Sequence, residues 1–189
     1  MTKILAISGS LRRDSHNTNL LRAAAEVAGD EAELELWDGL KAVPPYDEDD
    51  DVDPAPEAAA RLRAAIAGAD AVLFATPEYN SSVPGQLKNA LDWVSRPIAT
   101  NVLRNKPVAV VGASTGAFGA VWAQAELRKI LAATGARVLD AQVAVGHAPT
   151  RFEEGVLTDA DLRAQLADVV AELVAEARSR TELLARVAA

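Results

Sequence analysis

Residues 71–80, Ala-Val-Leu-Phe-Ala-Thr-Pro-Glu-Tyr-Asn, join a short apolar run to a run of hydrogen-bonding groups. Residues 71–75 are apolar at every position, which is typical of a strand buried on both faces of a parallel sheet. Polar residues 76–80 follow directly, and residues 86–95 are then predicted to form a helix. Because ligands of open α/β sheets bind at the carboxyl ends of the strands, we expect this polar and aromatic loop to contact a planar heterocycle.

Strands and helices alternate along the rest of the chain. The predicted strands are residues 3–8, 33–37, 71–76, 107–112 and a last one made of residues 137–139 with Val143. The predicted helices are residues 18–28, 57–68, 86–95, 122–134 and a long one that begins at a capping box in residues 158–161. This α/β pattern predicts a three-layer sandwich with helices on both faces of a parallel sheet. Five strands in this length favour the flavodoxin-like order 2-1-3-4-5, with residues 33–37 at an edge.

Composition limits the possible functions. The chain has 189 residues, half of them hydrophobic, and no linker-like segment or internal repeat, so we expect residues 1–189 to form one domain. A formal charge of −8 disfavours a nucleic-acid or anionic-membrane partner. The sequence shows no signal peptide and no apolar run of membrane-spanning length, so we expect a soluble, cytoplasmic protein. Because cysteine is absent, redox chemistry requires a bound cofactor.

The loop after the first strand, residues 8–18, has the composition of a phosphate site. It precedes a helix, whose free backbone N–H groups and dipole favour an anion. Side-chain donors there are Ser10, Arg12 or Arg13, Ser15, Asn17 and Thr18. Neither a Walker motif nor a GxGxxG fingerprint is present, which favours a phosphate monoester over a pyrophosphate. The alternative is a Ser/Asn-rich turn in which Asn17 or Thr18 caps the helix.

A third loop, residues 112–119, follows the fourth strand. Its glycines allow close backbone approach, and Ser114 and Thr115 offer hydrogen bonds to a ligand edge. The glycine spacing does not match a dinucleotide fingerprint, and such glycines often serve packing alone. Taken together, the three loops suggest FMN, with its phosphate at the first helix and its isoalloxazine between the other two loops.

Four segments resemble the NADPH-dependent FMN reductase family, a flavodoxin-like group that includes quinone and chromate reductases. They are GSLRRDSHN (9–17), TPEYNSSVPGQLKNALDWVSRP (76–97), GASTGAFGAVWAQAELRKIL (112–131) and FEEGVLTDADL (152–162). The second segment is the most specific of the four. The chain departs from the family pattern at Gly119-Ala120 and Trp122-Ala123, where the family usually has a Gly-Gly pair and an arginine. It also departs at His16, whose position is often aromatic.

The resemblance implies roles for individual residues. The FMN phosphate would be bound by Ser10, Arg12, Ser15 and Asn17. The flavin and ribityl chain would be bound by Pro77, Glu78, Tyr79 and Asn80, and the ring would be contacted by Ser114 and Gly116.

The implied activity is an oxidoreductase that passes hydride from NADPH or NADH through FMN to a second acceptor. By resemblance, that acceptor is a quinone, an azo dye, chromate or free flavin. The alternative is a one-electron flavodoxin-type carrier, whose acidic charge this chain shares. However, Arg12 in the phosphate loop and the few aromatic residues are untypical of such a carrier. A non-catalytic nucleotide-binding module is a further alternative.

Two tryptophans bear on assembly. Trp93 and Trp122 both lie away from the predicted core-facing stripes of their helices, which suggests a partner surface. The alternative is that each covers its own sheet edge. The family resemblance implies homodimers, so we expect a homodimer or tetramer.

Three other features are not assigned to the site. Seven residues, 47–53, include six acidic ones, but adjacent carboxylates cannot all converge on one metal ion, so we expect a solvated loop and no metal site. His16 and His147 lack a partner motif, although His16 could touch the phosphate. Glu78 is expected to organise its loop rather than act as an acid catalyst.

Overall fold

A computed structural model describes the backbone of residues 1–188 and the side chains of residues 1–186. The strands are β1 (Thr2–Ser8), β2 (Ala32–Trp37), β3 (Ala71–Thr76), β4 (Pro107–Ala113), β5 (Arg137–Val138), β6 (Ala144–Val145), β7 (Phe152–Glu153) and β8 (Val156–Leu157). The α-helices are α1 (His16–Ala28), α2 (Glu57–Gly68), α3 (Gly85–Val94), α4 (Val121–Ala133) and α5 (Ala160–Ala188). Within this range no helix is both long and apolar enough to cross a bilayer.

The main sheet has the order β2-β1-β3-β4-β5, and all of its neighbouring strands are parallel. The predicted strand order and the edge position of residues 33–37 are therefore confirmed. In register, Ile4 on the interior strand β1 lies opposite Leu34 on one side and Ala71 on the other. The loops after β1, β3 and β4 consequently emerge from adjacent strands at one edge of the sheet.

The predicted last strand is two short pieces rather than one. Both β5 and β6 pair with β4, and residues 139–143 lie between them. In that gap the guanidinium of Arg128 donates to the carbonyls of Leu139, Asp140 and Ala141, at 3.0, 2.8 and 2.7 Å. Arg128 of α4 therefore bonds three successive carbonyls, which in a continuous strand would alternate between the two sides of the strand. Strand propensity does not predict this interruption, because the arginine lies in the preceding helix.

The core has two layers, because side chains alternate across each strand. Ile4, Ala6 and Leu73 belong to the layer that packs against α1 and α5. Residues at the intervening positions, such as Leu5 and Phe74, belong to the layer against α2, α3 and α4. The buried apolar residues of α5, among them Leu166 and Leu173, lie in the first layer. This arrangement confirms the predicted three-layer sandwich.

Trp93 corrects the sequence-based expectation. Its side chain is 0% exposed, and its indole Nε1 donates to the carbonyl of Pro44 at 2.9 Å. The ring of Tyr46 packs against it edge-on, with centroids 5.0 Å apart. The prediction that Trp93 marks a partner surface is therefore wrong, because the loop between β2 and α2 folds back over α3 and covers it.

The starts of two helices differ slightly from the sequence-based predictions. Helix α1 begins at His16 and is capped by Ser15, not by Asn17 or Thr18. Helix α5 begins at Ala160, where Asp159 Oδ1 accepts from the N–H of Leu162 at 3.0 Å. The antiparallel pair β7–β8 was not predicted, since two-residue strands carry almost no periodic signal.

The acidic loop is arranged as separate local contacts. Asp47 accepts from the N–H of Asp49 at 3.0 Å, and Asp51 pairs with Arg63 at 2.8 Å. Among the described residues, no group of three or more acidic or histidine side chains is placed to hold a metal ion.

Candidate functional site

A cavity of about 250 Å³ lies where the loops after β1, β3 and β4 meet. It is lined by Ser10, Arg12, Ser15, His16, Asn17, Pro77, Glu78, Tyr79, Ala113, Ser114 and Thr115. This volume is just below the usual range for small-molecule sites, so a ligand of the size of FMN would extend onto the exposed rim.

The first loop is built around the start of α1. Ser15 is buried, and its Oγ accepts from the N–H groups of Asn17 and Thr18 at 3.2 and 3.3 Å. The backbone N–H groups of Ser15 and His16 have no hydrogen-bond partner within the described chain. Because Thr18 Oγ1 donates to Ser8 Oγ at 3.0 Å, the Thr18 side chain braces the loop from behind. The cavity therefore contains unpaired donors at a helix N-terminus, as an anion site requires.

Asn17 joins the first loop to the end of β4. Its Nδ2 donates to the carbonyl of Ala113 at 3.0 Å, and its Oδ1 accepts from the N–H of Ala113 at 2.9 Å. Asn17 is only 3% exposed. These two bonds use both polar atoms of the amide, so the structure places Asn17 chiefly as a brace between two loops.

Positive charge lies at the same end of the cavity. Arg12 lines the cavity and is exposed, whereas the neighbouring Arg13 does not line it. Burial, with a smaller contribution from the Arg12 guanidinium, lowers the pKa of His16 below its ordinary value. Near neutral pH, Arg12 is therefore the permanent charge available to an anion here.

The second loop forms a tight hairpin after β3. Tyr79 and Ser82 exchange two backbone hydrogen bonds of 3.1 Å. Asn80 and Ser81 between them have φ values of 53° and 60°, as in a type I′ turn. The turn leaves Asn80 exposed at its tip and outside the cavity lining, while Tyr79 stands at the rim with 55% of its surface exposed.

Glu78 connects this loop to α4. Its Oε2 accepts from the N–H groups of Trp122 and Ala123, both at 3.0 Å. The residue before α4, Ala120, has left-handed backbone and no side-chain cap. Glu78 thus supplies from another loop the cap that α4 lacks. This arrangement agrees with the prediction that Glu78 organises its loop.

The third loop is held tightly by its backbone. Ser114 Oγ accepts from the N–H of Gly116 at 3.1 Å, and the Gly116 carbonyl accepts from His147 N–H at 2.9 Å. A Cβ at Gly146 would lie 2.1 Å from the carbonyl oxygen of Ala117, so only glycine allows this approach. The loop therefore presents Ser114 to the cavity from a fixed backbone.

Eight of the eleven predicted site residues line the cavity: Ser10, Arg12, Ser15, Asn17, Pro77, Glu78, Tyr79 and Ser114. Thr18, Asn80 and Gly116 do not, and they shape the loops instead. Thr115, which was predicted beside Ser114 as a hydrogen-bonding residue, also lines the cavity. Ala113 was not predicted, and its position at the end of β4, next to Ser114, was the available signal. His16, whose contact with the phosphate the sequence left open, also lines the cavity.

A larger cavity of about 330 Å³ lies at the opposite end of the sheet. It is bordered by Thr2, at the amino end of β1, and by Asp70 and Arg178. Parallel α/β sheets bind ligands at the carboxyl ends of their strands, so the smaller cavity is the better candidate site.

The residues of the smaller cavity fit FMN. Hydroxyls, the unpaired backbone N–H groups of Ser15 and His16, and a guanidinium suit a phosphate. The order of the sheet and the loops at its carboxyl end define a flavodoxin-like protein with a flavin-type site.

Known proteins are similar to this chain in sequence and in structure. The family model for NADPH-dependent FMN reductase matches residues 2–150, and the chain therefore belongs to that family. It is an NAD(P)H-dependent FMN oxidoreductase, as the resemblance implied. The matched range ends before β7, β8 and α5.

Two relatives and one solved structure illustrate this similarity. A 2-hydroxy-1,4-benzoquinone reductase from Burkholderia sp is 46% identical over 130 residues, which are 69% of this chain and 70% of the relative. An NAD(P)H-dependent FMN reductase from Pseudomonas aeruginosa is 46% identical over 68% of this chain and 69% of its own. The solved structure of FerB, a flavoenzyme NAD(P)H:(acceptor) oxidoreductase from Paracoccus denitrificans, superposes with a TM-score of 0.84 at 35% identity, covering 95% of this chain and 98% of FerB.

Proposed function

We propose that this protein is an NAD(P)H-dependent quinone reductase that holds FMN in the cavity between the loops after β1, β3 and β4. The observation that carries the proposal is the convergence of three polar loops on one cavity, with Arg12 and the start of α1 on one side and Tyr79 on another. A quinone is the favoured acceptor because the 46% identical Burkholderia relative is named for a benzoquinone. Azo dyes, chromate and free flavin are the acceptors to compare with it.

In this proposal the first loop binds the phosphate. Ser10 and Ser15 lie in the lining with Arg12, and the unpaired backbone N–H groups of Ser15 and His16 add donors. A guanidinium and several N–H groups together match the charge and the acceptor oxygens of a phosphate monoester. Asn17 and Thr18 keep this loop in place through Ala113 and Ser8.

The other two loops orient the flavin. Pro77, Tyr79 and Ser114 lie in the lining, where the first two offer flat surfaces and the third a hydroxyl. Glu78, Asn80 and Gly116 fix the backbone of these loops, Glu78 by capping α4. When bound, FMN supplies two-electron transfer from NAD(P)H to the acceptor. The chain's contribution is to bind and orient, since no cysteine is available as a nucleophile.

A spectrum of the purified protein, followed by anaerobic NADPH or NADH, tests the proposal. We expect a bound flavin whose visible absorbance is lost rapidly with either nicotinamide and returns when a benzoquinone is added. A protein with bound flavin that does not react with NADPH or NADH would instead support the one-electron carrier.

The kinetic pattern gives a second test. Both the nicotinamide and the acceptor must reach the flavin through the exposed rim, so we expect them to use the same space in turn. Initial rates at several acceptor concentrations should therefore give parallel double-reciprocal lines. Intersecting lines would show that both substrates bind together and would contradict the shared space.

We also propose that the protein is a single-domain, cytoplasmic homodimer or tetramer. The family resemblance supports the assembly, as does an exposed aromatic pair beside the cavity. Phe118 and Trp122 are 64% and 49% exposed, and their rings meet edge-on with centroids 5.0 Å apart. Exposed tryptophan and phenylalanine in contact are typical of interface cores, which makes this pair the surface to test.

A further inference from the structure

The exposed aromatic side chains of this protein are concentrated beside the candidate site. Of its three tryptophans, two tyrosines and three phenylalanines, one of each is exposed: Trp122, Tyr79 and Phe118. Tyr79 lines the cavity, and Phe118 follows the lining residue Thr115 by three positions. The N–H of Trp122 is bonded to Glu78, another lining residue. All three exposed aromatic residues therefore lie beside the mouth of one cavity.

The backbone between Phe118 and Trp122, here called the aromatic pair, is fixed in one shape. Gly119 has a φ of 59°, and a Cβ there would lie 2.4 Å from the carbonyl carbon of Ala144, so only glycine fits. The buried Gln124 donates from its Nε2 to the carbonyl of Gly119 at 2.9 Å. A ligand that stacks on the aromatic pair therefore finds the rings already positioned, which lowers the entropic cost of binding.

The aromatic pair lies where the flavin ring is expected. The cavity has a volume of about 250 Å³, so FMN whose phosphate lies beside Arg12 extends its ring onto the rim. That rim includes Tyr79 and the loop that continues to Phe118. This step rests on the proposed function, which places FMN in the cavity. An acceptor that reaches the ring from solvent then meets the aromatic pair.

The charges near the aromatic pair favour a neutral ligand. The two segments that carry the exposed aromatic residues, 76–82 and 112–126, contain Glu78 and Glu126 and no lysine or arginine. Both carboxylates accept hydrogen bonds from backbone N–H groups. An anion placed against these segments loses water and gains no opposite charge from them, whereas a flat apolar ring gains contact with two aromatic rings.

We propose that Phe118 and Trp122 form a wall of the acceptor site that selects neutral, planar quinones over anionic acceptors. The wall contributes stacking and apolar contact, and it takes no part in electron transfer. The redox balance is that of the proposed function: NAD(P)H and a proton reduce the quinone to a hydroquinone by way of the flavin. The aromatic pair therefore acts on the choice of acceptor and not on the chemistry.

Reoxidation of the reduced flavin measures the acceptor step alone. The holoenzyme is reduced anaerobically with dithionite and mixed in a stopped-flow instrument with naphthoquinone or with ferricyanide, an anion without a flat face. The quinone takes both electrons from one flavin, whereas two ferricyanide ions take one electron each. The second-order rate constant with naphthoquinone, divided by that with ferricyanide, defines a preference from which differences in flavin content cancel.

Trp122→Leu and Phe118→Leu keep an apolar side chain and remove the flat ring. Each should lower the preference roughly two- to tenfold, the value of one lost aromatic contact. Trp122→Arg adds a cation and should lower the preference further, because ferricyanide then reacts faster. The matched control is the exposed Ile98→Ala at the other end of α4, where Asn101 bonds the carbonyls of Ile98 and Thr134. This control should leave the preference unchanged.

Sedimentation of each variant at the assay concentration separates this role from assembly, because the same pair is the proposed assembly surface. Leucine retains apolar area and should preserve the oligomer, but it lacks the flat ring. A lower preference with wild-type sedimentation supports the wall. A preference that stays unchanged, or that falls only in variants that dissociate, overturns the wall and leaves the proposed function standing. Reduced wild-type flavin that naphthoquinone does not reoxidise would overturn the proposed quinone reductase itself, and this inference with it.

Discussion

Asn17 and Ala113 exchange two hydrogen bonds, of 2.9 and 3.0 Å, between the start of α1 and the end of β4. One short side chain therefore sets the spacing of the first and third loops of the site. Both residues are buried, so these bonds are shielded from solvent in the intact protein.

Replacement of Asn17 should destabilise the protein and loosen the cavity. In Asn17→Ala the N–H and C=O of Ala113 lose their partners, at a cost of about 1–3 kcal/mol for each group left unsatisfied. Asn17→Asp keeps an acceptor for the N–H but sets a carboxylate against the Ala113 carbonyl, so it should also be destabilising. Urea unfolding measures both effects. Wild-type stability in both variants would mean that the bridge is not maintained in solution.

Glu78 should contribute to both stability and flavin binding. Glu78→Ala removes the only cap seen at the start of α4 in the described chain, which typically costs about 1 kcal/mol. Glu78→Gln keeps an acceptor oxygen and should retain most of the stability and flavin affinity. The matched control is Glu126→Ala on α4, which removes a 3.3 Å hydrogen bond from Val83 N–H but leaves the start of that helix capped. Thermal unfolding and flavin titration should separate the three variants.

Arg12→Ala should weaken FMN by about 1.5–3 kcal/mol, the value of a hydrogen bond to a charged group. Riboflavin affinity should change little. Arg13→Ala, one residue away and outside the cavity lining, should leave both affinities close to those of the wild type. An equal loss of FMN and riboflavin in Arg12→Ala would show that Arg12 supports the loop rather than the phosphate.

Lys106 should make stability rise with pH. It is 3% exposed, and its Nζ donates to the carbonyls of Ala67 and Ala69. Burial, together with the charge of Arg180, lowers its pKa from 10.5 to about 8, against an opposing effect of Asp70. Between those values the unfolded chain binds more protons than the folded one. The free energy of unfolding should therefore increase from about pH 8 to about pH 10.5, by at most ~3 kcal/mol.

The control for this prediction is Lys106→Met, which has a side chain of similar length that does not titrate. The difference in unfolding free energy between the wild type and this variant isolates the lysine from other groups. If the two pH profiles run parallel between about pH 8 and about pH 10.5, Lys106 has the same pKa in the folded and the unfolded chain, and the prediction is wrong.

Trp122 should affect assembly, whereas Trp93 should affect folding. Trp122→Glu places a charge on the exposed pair with Phe118 and should shift the protein toward monomer in sedimentation. Leu36→Glu, on the opposite edge strand and 38% exposed, is the matched control and should not. Wild-type protein that sediments as a monomer at micromolar concentration would contradict the proposed assembly.

Much of the fold was predictable from local pattern. The continuous apolar runs of β3 and β4 predicted buried strands, and the alternation of residues 33–37 indicated an edge. Such patterns report burial directly, because period and polarity follow from which faces meet water. The positions of the three site loops then followed from the rule for parallel sheets, and the structure brings eight of the eleven chosen residues to one cavity.

Contacts between distant segments decided the rest. Helical periodicity placed Trp93 off the core stripe, but the loop that ends at Pro44 and Tyr46 covers it. Arg128 divides the last strand, and Glu78 caps a helix more than forty residues away. A sequence pattern records how each residue meets its own helix or strand. It carries no information on which remote side chain satisfies a given backbone group, and that pairing exists only once the chain has folded.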